Sequence, residues 1–292
     1  MPAPINLPPL RILLLTTLAM LAFAGNSLLC RLALKTTTID AASFTTIRLV
    51  SASLLLLWLM LANRTSIVKH GNWTSSMALF VYAAGFSFAY LKLPAATGAL
   101  LLFGAVQAGM VSYGLFKGER LLGLRLGGFL LALCGLVLLM LPGLSAPPLG
   151  SALLMLLAGV AWAVYTLRGK GATNPMAVTA GNFVRTLPMT LGLSLITINQ
   201  ASIDRAGLMY AVLSGALTSG LGYVIWYKVL PALKATHAAT VQLSVPVIAA
   251  LGGVLFLGEP VTGLMLGACA AILLGILLVL RAPQAGLPKP SA

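Results

Sequence analysis

Two short stretches of the chain repeat one another: LFKGERLLGLRLG at residues 115–127 and LFLGEPVTGLMLG at residues 255–267. They share Leu-Phe, Gly-Glu and two glycines four residues apart, at an offset of 140 residues. Nearer the N-terminus, Arg31 and Arg48 recur as Arg168 and Arg185, 137 residues later. The chain is therefore expected to contain two copies of one structural unit.

The amino-acid composition indicates whether these copies fold in water or in a membrane. Of the 292 residues, 60% are apolar and 8% are charged, and the mean hydropathy is +1.03. A soluble domain cannot hide that much apolar surface. Apolar runs of about 20 residues recur along the chain, and each is long enough to cross a hydrocarbon core of ~30 Å as a helix. The predicted class is an all-α polytopic membrane protein.

Charged and turn-forming residues divide the chain into ten predicted transmembrane helices. The predicted spans are 10–30, 40–62, 73–91, 94–115, 121–141, 149–167, 176–197, 206–227, 234–256 and 261–281.

The basic residues predict the orientation of these spans. With the N-terminus in the cytoplasm, twelve Lys and Arg residues lie at inside ends and four at outside ends. The four are Arg31, Lys35, Lys92 and Arg205. This asymmetry predicts that both termini are cytoplasmic. We expect a multi-pass protein of the bacterial inner (plasma) membrane.

Five spans per copy is an odd number, so the second copy must cross the membrane in the opposite direction. The predicted units are residues 1–142, the first five-helix repeat, and residues 143–292, the second and inverted repeat. Inverted repeats are common in secondary transporters, where the substrate binds between the two halves. A duplicated channel or scramblase is the alternative.

Several other classes are disfavoured. The net charge of +14 would suggest nucleic acid in a soluble protein, but here the cations stand at span ends, where they orient helices and meet lipid head groups. The three cysteines, Cys30, Cys134 and Cys269, are better explained as small membrane-buried residues than as disulfides or metal ligands. No phosphate loop, metal cluster or nucleophile–base set is evident, so we expect neither an enzyme nor a cofactor.

The second half carries motifs of a known family: Trp226-Tyr227-Lys228-Val229-Leu230, then Ala235-Thr236-His237-Ala238-Ala239, Pro246 and Gly258-Glu259-Pro260. With the repeat, these resemble the drug/metabolite transporter superfamily and, within it, the EamA-type exporters of ten helices. The resemblance covers residues 10–281 and is strongest to exporters of aromatic amino acids. The first half departs from the pattern, with Val106 where the second half has Pro246.

The few acidic residues all fall at predicted helix ends, where carboxylates stabilise helix starts. They are Asp40, Glu119, Asp204 and Glu259. Without an acid in mid-membrane, a cationic substrate or a carboxylate proton relay is disfavoured, and a neutral or zwitterionic substrate fits better.

Arg48 and Arg185 lie inside spans, where an ionisable residue is a functional candidate. Both stand close enough to a membrane face to snorkel or to bond helix-end carbonyls of a neighbouring helix. The resemblance implies that spans 2 and 7 are peripheral to the transport path, which favours a structural role for both arginines.

Aromatic residues give the stronger indication of a site. Tyr82, Phe86 and Tyr90 are spaced i, i+4, i+8 on span 3, hence on one helical face. Span 8, its counterpart in the other repeat, carries Tyr223 with the Trp226-Tyr227 pair. These faces are predicted to line a cavity for flat, partly apolar molecules. The alternative is an interfacial belt, above all for Tyr90 and Tyr227.

Polar residues within the spans, among them Asn26 and His237, either contact the substrate or hydrogen-bond between helices. Pro246 is expected to free a backbone carbonyl in span 9 and to kink it. The candidate substrate-binding residues are Tyr82, Phe86, Tyr90, Gln107, Trp162, Tyr223, Trp226, Tyr227, Gln242 and Ser244.

Two glycine pairs with four-residue spacing, Gly123 with Gly127 and Gly263 with Gly267, are typical of close helix packing. They are predicted to tie the two halves together, with a dimer contact as the alternative.

The leading hypothesis is a secondary exporter of small amphiphilic metabolites, amino acids with an aromatic preference among them, that works by alternating access. A broad metabolite or drug exporter is the runner-up, and a channel or scramblase is the alternative from another class. The expected partners are a small-molecule substrate and the lipid bilayer. The sequence leaves the oligomeric state open, and a monomer is the simplest expectation.

Overall fold

A computed structural model describes residues 8–64, 70–118, 122–138, 148–258 and 263–281. Throughout these ranges the regular elements are helices. The α-helical segments are α1 (Pro9–Thr36), α2 (Ala41–Ala62), α3 (Trp73–Tyr90), α4 (Ala95–Phe116), α5 (Leu124–Leu138), α6 (Leu149–Gly169), α7 (Pro175–Ile196), α8 (Arg205–Leu213), α9 (Gly222–Val229), α10 (Ala235–Gln242), α11 (Ser244–Leu257) and α12 (Gly263–Arg281).

Six helical stretches within the described ranges are long and apolar enough to cross a membrane. They are Pro9–Thr36, Ala41–Ala62, Ala95–Phe116, Leu149–Gly169, Arg205–Ala232 and Ala235–Leu257. Shorter apolar helices occupy Leu124–Gly135 and Cys269–Val279. Large apolar side chains such as Trp58 and Leu61 point outward, as expected for a surface that faces lipid rather than water.

Two of the long stretches are irregular. The stretch Arg205–Ala232 contains a π-helical segment, Ser214–Leu221, between α8 and α9. A π turn holds an extra residue and so changes the direction of the side chains that follow it. The next stretch is interrupted at Leu243, between α10 and α11, three residues before Pro246. Pro246, which was predicted to kink span 9, lies in the first turn of α11 just after this interruption, whereas no feature of the sequence predicted the π segment.

The described acids lie at helix starts. Asp40 accepts hydrogen bonds from the amides of Ala42 and Ser43 at the start of α2, and from the amide of Ser202 across the loop before α8. Partial burial raises the pKa of Asp40, but hydrogen bonds from Ser43, Ser202 and Ala42 more than offset this and leave the pKa below its usual range. Asp204 directly precedes α8. Glu119 and Glu259 lie outside the described residues.

The prediction that Gly123, Gly127, Gly263 and Gly267 tie the halves together is wrong. A Cβ added at any of these four glycines would meet no described atom within 4 Å. Helices α5 and α12 do pack together, but through Gly128 and Gly275. A Cβ on Gly128 would lie 2.8 Å from the carbonyl oxygen of Gly275, so the contact is backbone to backbone.

Candidate functional site

Aromatic rings from α1, α3, α6 and α9 meet at the centre of the helices. Trp162 on α6 lies 4.7 Å from Tyr223, 5.0 Å from Tyr82 and 5.2 Å from Phe23, measured between ring centroids. Tyr82 also contacts Phe86 at 5.4 Å. Each ring is at most 5% exposed. We call these five residues the aromatic cluster.

The aromatic face predicted on α3 forms one continuous row. Phe86 contacts Tyr90 edge-on at 4.7 Å. The Tyr90 hydroxyl donates to the carbonyl of Ala95, and its ring fills the space beside Gly98, where a Cβ would overlap it. Tyr90 is fully buried, so it is not part of an interfacial belt. It packs the α3–α4 turn at one end of the aromatic cluster.

Trp226 and Tyr227 on α9 are also fully buried, which likewise excludes the belt interpretation for Tyr227. The Tyr227 ring lies 5.3 Å from Tyr165, and its hydroxyl donates to the Tyr165 carbonyl at 2.7 Å. Trp226 contacts Phe23 at 5.8 Å, and its indole N–H has no hydrogen-bond partner among the described residues. Both side chains therefore flank the aromatic cluster.

Three predicted polar residues fall on or near the interrupted helix pair α10–α11. The indole N–H of Trp162 donates to Gln242 Oε1 at 2.8 Å, which joins Gln242 to the aromatic cluster. Gln107 on α4 donates to the carbonyl of Ala239 on α10. Ser244 bonds the Val241 carbonyl within its own chain segment and does not join the site.

A polar network lies against one side of the aromatic cluster. The Tyr223 hydroxyl lies 3.2 Å from the Tyr82 hydroxyl, and the Asn26 side-chain amide donates to Tyr82 at 3.1 Å. Ser214, in the π segment, donates to the Asn26 carbonyl oxygen at 2.6 Å. Residues of α1, α3 and the α8–α9 stretch are thus linked through a few shared hydroxyl and amide groups.

Arg48 neither snorkels to a membrane face nor bonds helix-end carbonyls, the two arrangements expected from its place in span 2. The side chain is 1% exposed and points from α2 into the polar network. Its Nη2 donates to the Tyr223 hydroxyl at 2.9 Å and to the Tyr82 hydroxyl at 3.2 Å, and Nε donates to Ser219 at 3.0 Å. The sequence of α2 does not reveal these partners, because they lie on other elements: on α3, in the π segment and on α9.

Arg185 bonds backbone carbonyls, one of the two arrangements expected from its place in span 7. Its Nη1 donates to the carbonyls of His70 and Gly181, both at 2.8 Å. It thereby ties α7 to the segment before α3. Two arginines 137 residues apart in the sequence therefore have different surroundings.

Sequence reasoning missed Phe23, Tyr165 and Ser219. Tyr165 follows Trp162 by three residues, and Ser219 precedes Tyr223 by four, so helical spacing places each on the same side as a residue that was chosen. Phe23 carries no comparable local signal. Within the described residues, no three His, Cys, Asp or Glu side chains cluster in a way that could hold a metal ion.

Comparison with known proteins shows similarity to transporters. The EamA-like transporter family matches residues 149–281. An uncharacterized protein of Pseudomonas aeruginosa is 59% identical over 281 residues, which cover 96% of this chain and 98% of that protein. The threonine/homoserine exporter RhtA of Salmonella typhimurium is 34% identical over 152 residues, or 49% of this chain and 50% of RhtA.

More distant matches cover most of the chain. An uncharacterized transporter of Archaeoglobus fulgidus is 29% identical over 259 residues, which cover 82% of this chain and 86% of the transporter. A solved crystal structure with 18% sequence identity has a TM-score of 0.73 over 92% of this chain and 96% of its own, which shows a common fold. Residues 149–281 are thus similar to the EamA-like transporter family, and the six described helical stretches that are long and apolar enough to cross a membrane indicate a multi-pass membrane protein.

Proposed function

We propose that this transporter exports small amphiphilic metabolites, amino acids with an aromatic preference, as a secondary carrier that works by alternating access. The observation that carries the proposal is the aromatic cluster, in which five buried rings from four helices lie beside hydroxyl and amide groups. Rings suit a flat apolar side chain, and the polar groups suit the charged part of an amino acid. The resemblance to the aromatic amino acid exporter YddG agrees with this preference.

The architecture proposed for this mechanism is the ten-helix inverted repeat, with halves at residues 1–142 and 143–292. The packing of the described helices supports it, because α2 packs against α7 and α5 against α12, each being the other's repeat counterpart. The repeat also relates two further contacts: α3 packs against α6, and α9, the counterpart of α3, packs against α1, the counterpart of α6. Since one chain supplies both sides of the aromatic cluster, a monomer suffices to form the site.

Alternating access requires the two halves to move relative to each other around the site. Arg48 and Tyr82 belong to the first half, and Tyr223 and Ser219 to the second, so their hydrogen bonds cross the moving interface. The π segment supplies Ser214 and Ser219 to this interface, and such segments are frequent at functional sites. These contacts are expected to break and re-form during each cycle.

Cysteine labelling tests the proposed orientation in the inner membrane, with both termini cytoplasmic. In a background without Cys30, Cys134 and Cys269, a membrane-impermeant maleimide added to intact cells should label Thr36→Cys and Ala201→Cys but not Lys228→Cys. All three introduced positions are exposed. Labelling of Lys228→Cys before cell lysis, or protection of the other two until lysis, would contradict the topology.

Transport in proteoliposomes tests the function itself. We expect saturable counterflow of tryptophan and phenylalanine, with half-saturation constants at least about twofold lower than those of alanine and threonine, because ring contacts contribute ~0.5–1.5 kcal/mol. Threonine belongs in the panel because RhtA is named as a threonine/homoserine exporter. A preference for threonine would indicate a small-amino-acid exporter instead, and flux that does not saturate would indicate a channel.

A further inference from the structure

The guanidinium of Arg48 has one nitrogen that the protein leaves without a partner. Nε and Nη2 are hydrogen-bonded, but Nη1 is buried and has no acceptor among the described residues. An arginine Nη carries two N–H groups, and each normally finds an acceptor when it is buried. Two strong donors are therefore available beside the aromatic cluster.

The positive charge is also without a counter-ion in the described part of the chain. The three side chains that bond Arg48 are neutral hydroxyls. The described acids do not reach it: Asp40 bonds amides at the start of α2 and in the loop before α8, and Asp204 stands at the start of α8. A buried charge is costly unless it is paired with an opposite charge.

The surroundings hold the guanidinium in one orientation. Its Cζ lies 5.1 Å from the ring centroid of Phe86 and 5.2 Å from that of Tyr82. Ser219 in the π segment and Tyr223 on α9 hold the guanidinium by hydrogen bonds, while the two rings of α3 contact it from another side. A group fixed in advance binds an anion without a large loss of side-chain entropy.

From these observations we propose that Nη1 of Arg48 binds the carboxylate of the transported molecule. The proposal rests on the proposed function and deepens it: the substrate class becomes aromatic molecules with a carboxylate, held by Arg48 at one end and by the aromatic cluster at the other. The carboxylate supplies both the missing acceptors and the missing counter-charge. In this proposal Arg48 is a specificity-determining residue as well as one that bonds neighbouring helices.

The experiment separates the carboxylate from the rest of the molecule. Three probes share an indole ring: tryptophan, tryptamine, which lacks the carboxylate, and indole-3-propionate, which lacks the amine. Binding of each to purified protein is measured as ligand-induced thermal stabilisation, and each is tested as a competitor of tryptophan counterflow. The variants are Arg48→Gln and Arg48→Lys, with Arg185→Gln as the matched control in the equivalent repeat position.

We expect wild-type protein to bind tryptophan and indole-3-propionate at least about tenfold more tightly than tryptamine, because a charge-assisted hydrogen bond is about twice as strong as a neutral one. In Arg48→Gln this preference should disappear while tryptamine binding is kept. Arg48→Lys should retain part of the preference, since an ammonium attracts the carboxylate as a point charge without the planar fork. Arg185→Gln should lower thermal stability and leave the preference unchanged.

Arg48→Gln that folds as a monodisperse protein and keeps the wild-type preference overturns the proposal. If neither Arg48 variant folds, the wild-type probes decide alone, because equal binding of tryptamine and indole-3-propionate overturns it as well. Failure of the proposed function gives a different result: no probe is transported, while carboxylate binding still depends on Arg48. Conversely, saturable tryptophan transport that is unaffected in Arg48→Gln leaves the function standing without the carboxylate site.

Discussion

Replacement of Gly215 by valine is expected to abolish transport and to lower sharply the yield of monodisperse protein. Gly215 lies in the π segment, where a Cβ would overlap Ser51 Oγ and the backbone carbonyl of Arg48. The backbone carbonyl cannot rotate away, so α2 and the π segment must separate. Overpacking costs ~1–3 kcal/mol even where side chains can adjust, out of a total stability of ~5–15 kcal/mol.

The separation would also displace Arg48 from Ser219 and Tyr223, so loss of tryptophan counterflow is expected even in the fraction that folds. Gly192→Val on α7 is the matched control, because a Cβ there meets no described atom within 4 Å. It should purify and transport as the wild type does. Size-exclusion profiles and counterflow measure both effects. Normal behaviour of Gly215→Val would show that the π segment does not pack on α2 as described.

The positions of the helices could be predicted from sequence because their ends are determined locally. The predicted spans 40–62 and 73–91 correspond to Ala41–Ala62 and Trp73–Tyr90. Asp40 and Asn72 cap these two helices, and caps depend on residues within one turn. The π segment could not be predicted in this way, since it accompanies the contact of Gly215 with a different helix.

In the candidate site, too, features that depend on one helix could be predicted from the sequence, and features that depend on several helices could not. The row of rings on α3 follows from i, i+4 spacing within one helix, and it could be predicted. The environment of Arg48 depends on α3 and on the π segment, about 34 and 170 residues away in sequence, and no pattern within α2 reveals it. Distance from the end of a span suggested snorkelling or carbonyl partners for Arg48, because it ignores the hydroxyl partners on neighbouring helices. The glycine pairs failed similarly, since the helical face that contacts α12 belongs to Gly128.

Replacement of Trp162 by alanine is expected to remove most of the preference for aromatic substrates. Trp162 contacts the rings of Phe23, Tyr82, Tyr165 and Tyr223, and it also donates a hydrogen bond to Gln242. Loss of one ring contact between Trp162 and the substrate costs ~0.5–1.5 kcal/mol of binding free energy beyond area burial. This corresponds to a rise of roughly two- to tenfold in the half-saturation constant for tryptophan. Alanine and threonine make little ring contact, so their constants should change less.

Two further variants separate the ring of Trp162 from its hydrogen bond and from general effects on stability. Trp162→Phe keeps a ring but loses the donor to Gln242, so it should retain most of the aromatic preference if the ring is what selects the substrate. Trp58→Ala is the matched control, because Trp58 lies on α2 with 64% of its surface exposed on the outer face of the helices. It should leave all half-saturation constants unchanged. An equal loss for tryptophan and alanine in Trp162→Ala would mean that this side chain packs the helices together and does not select the substrate.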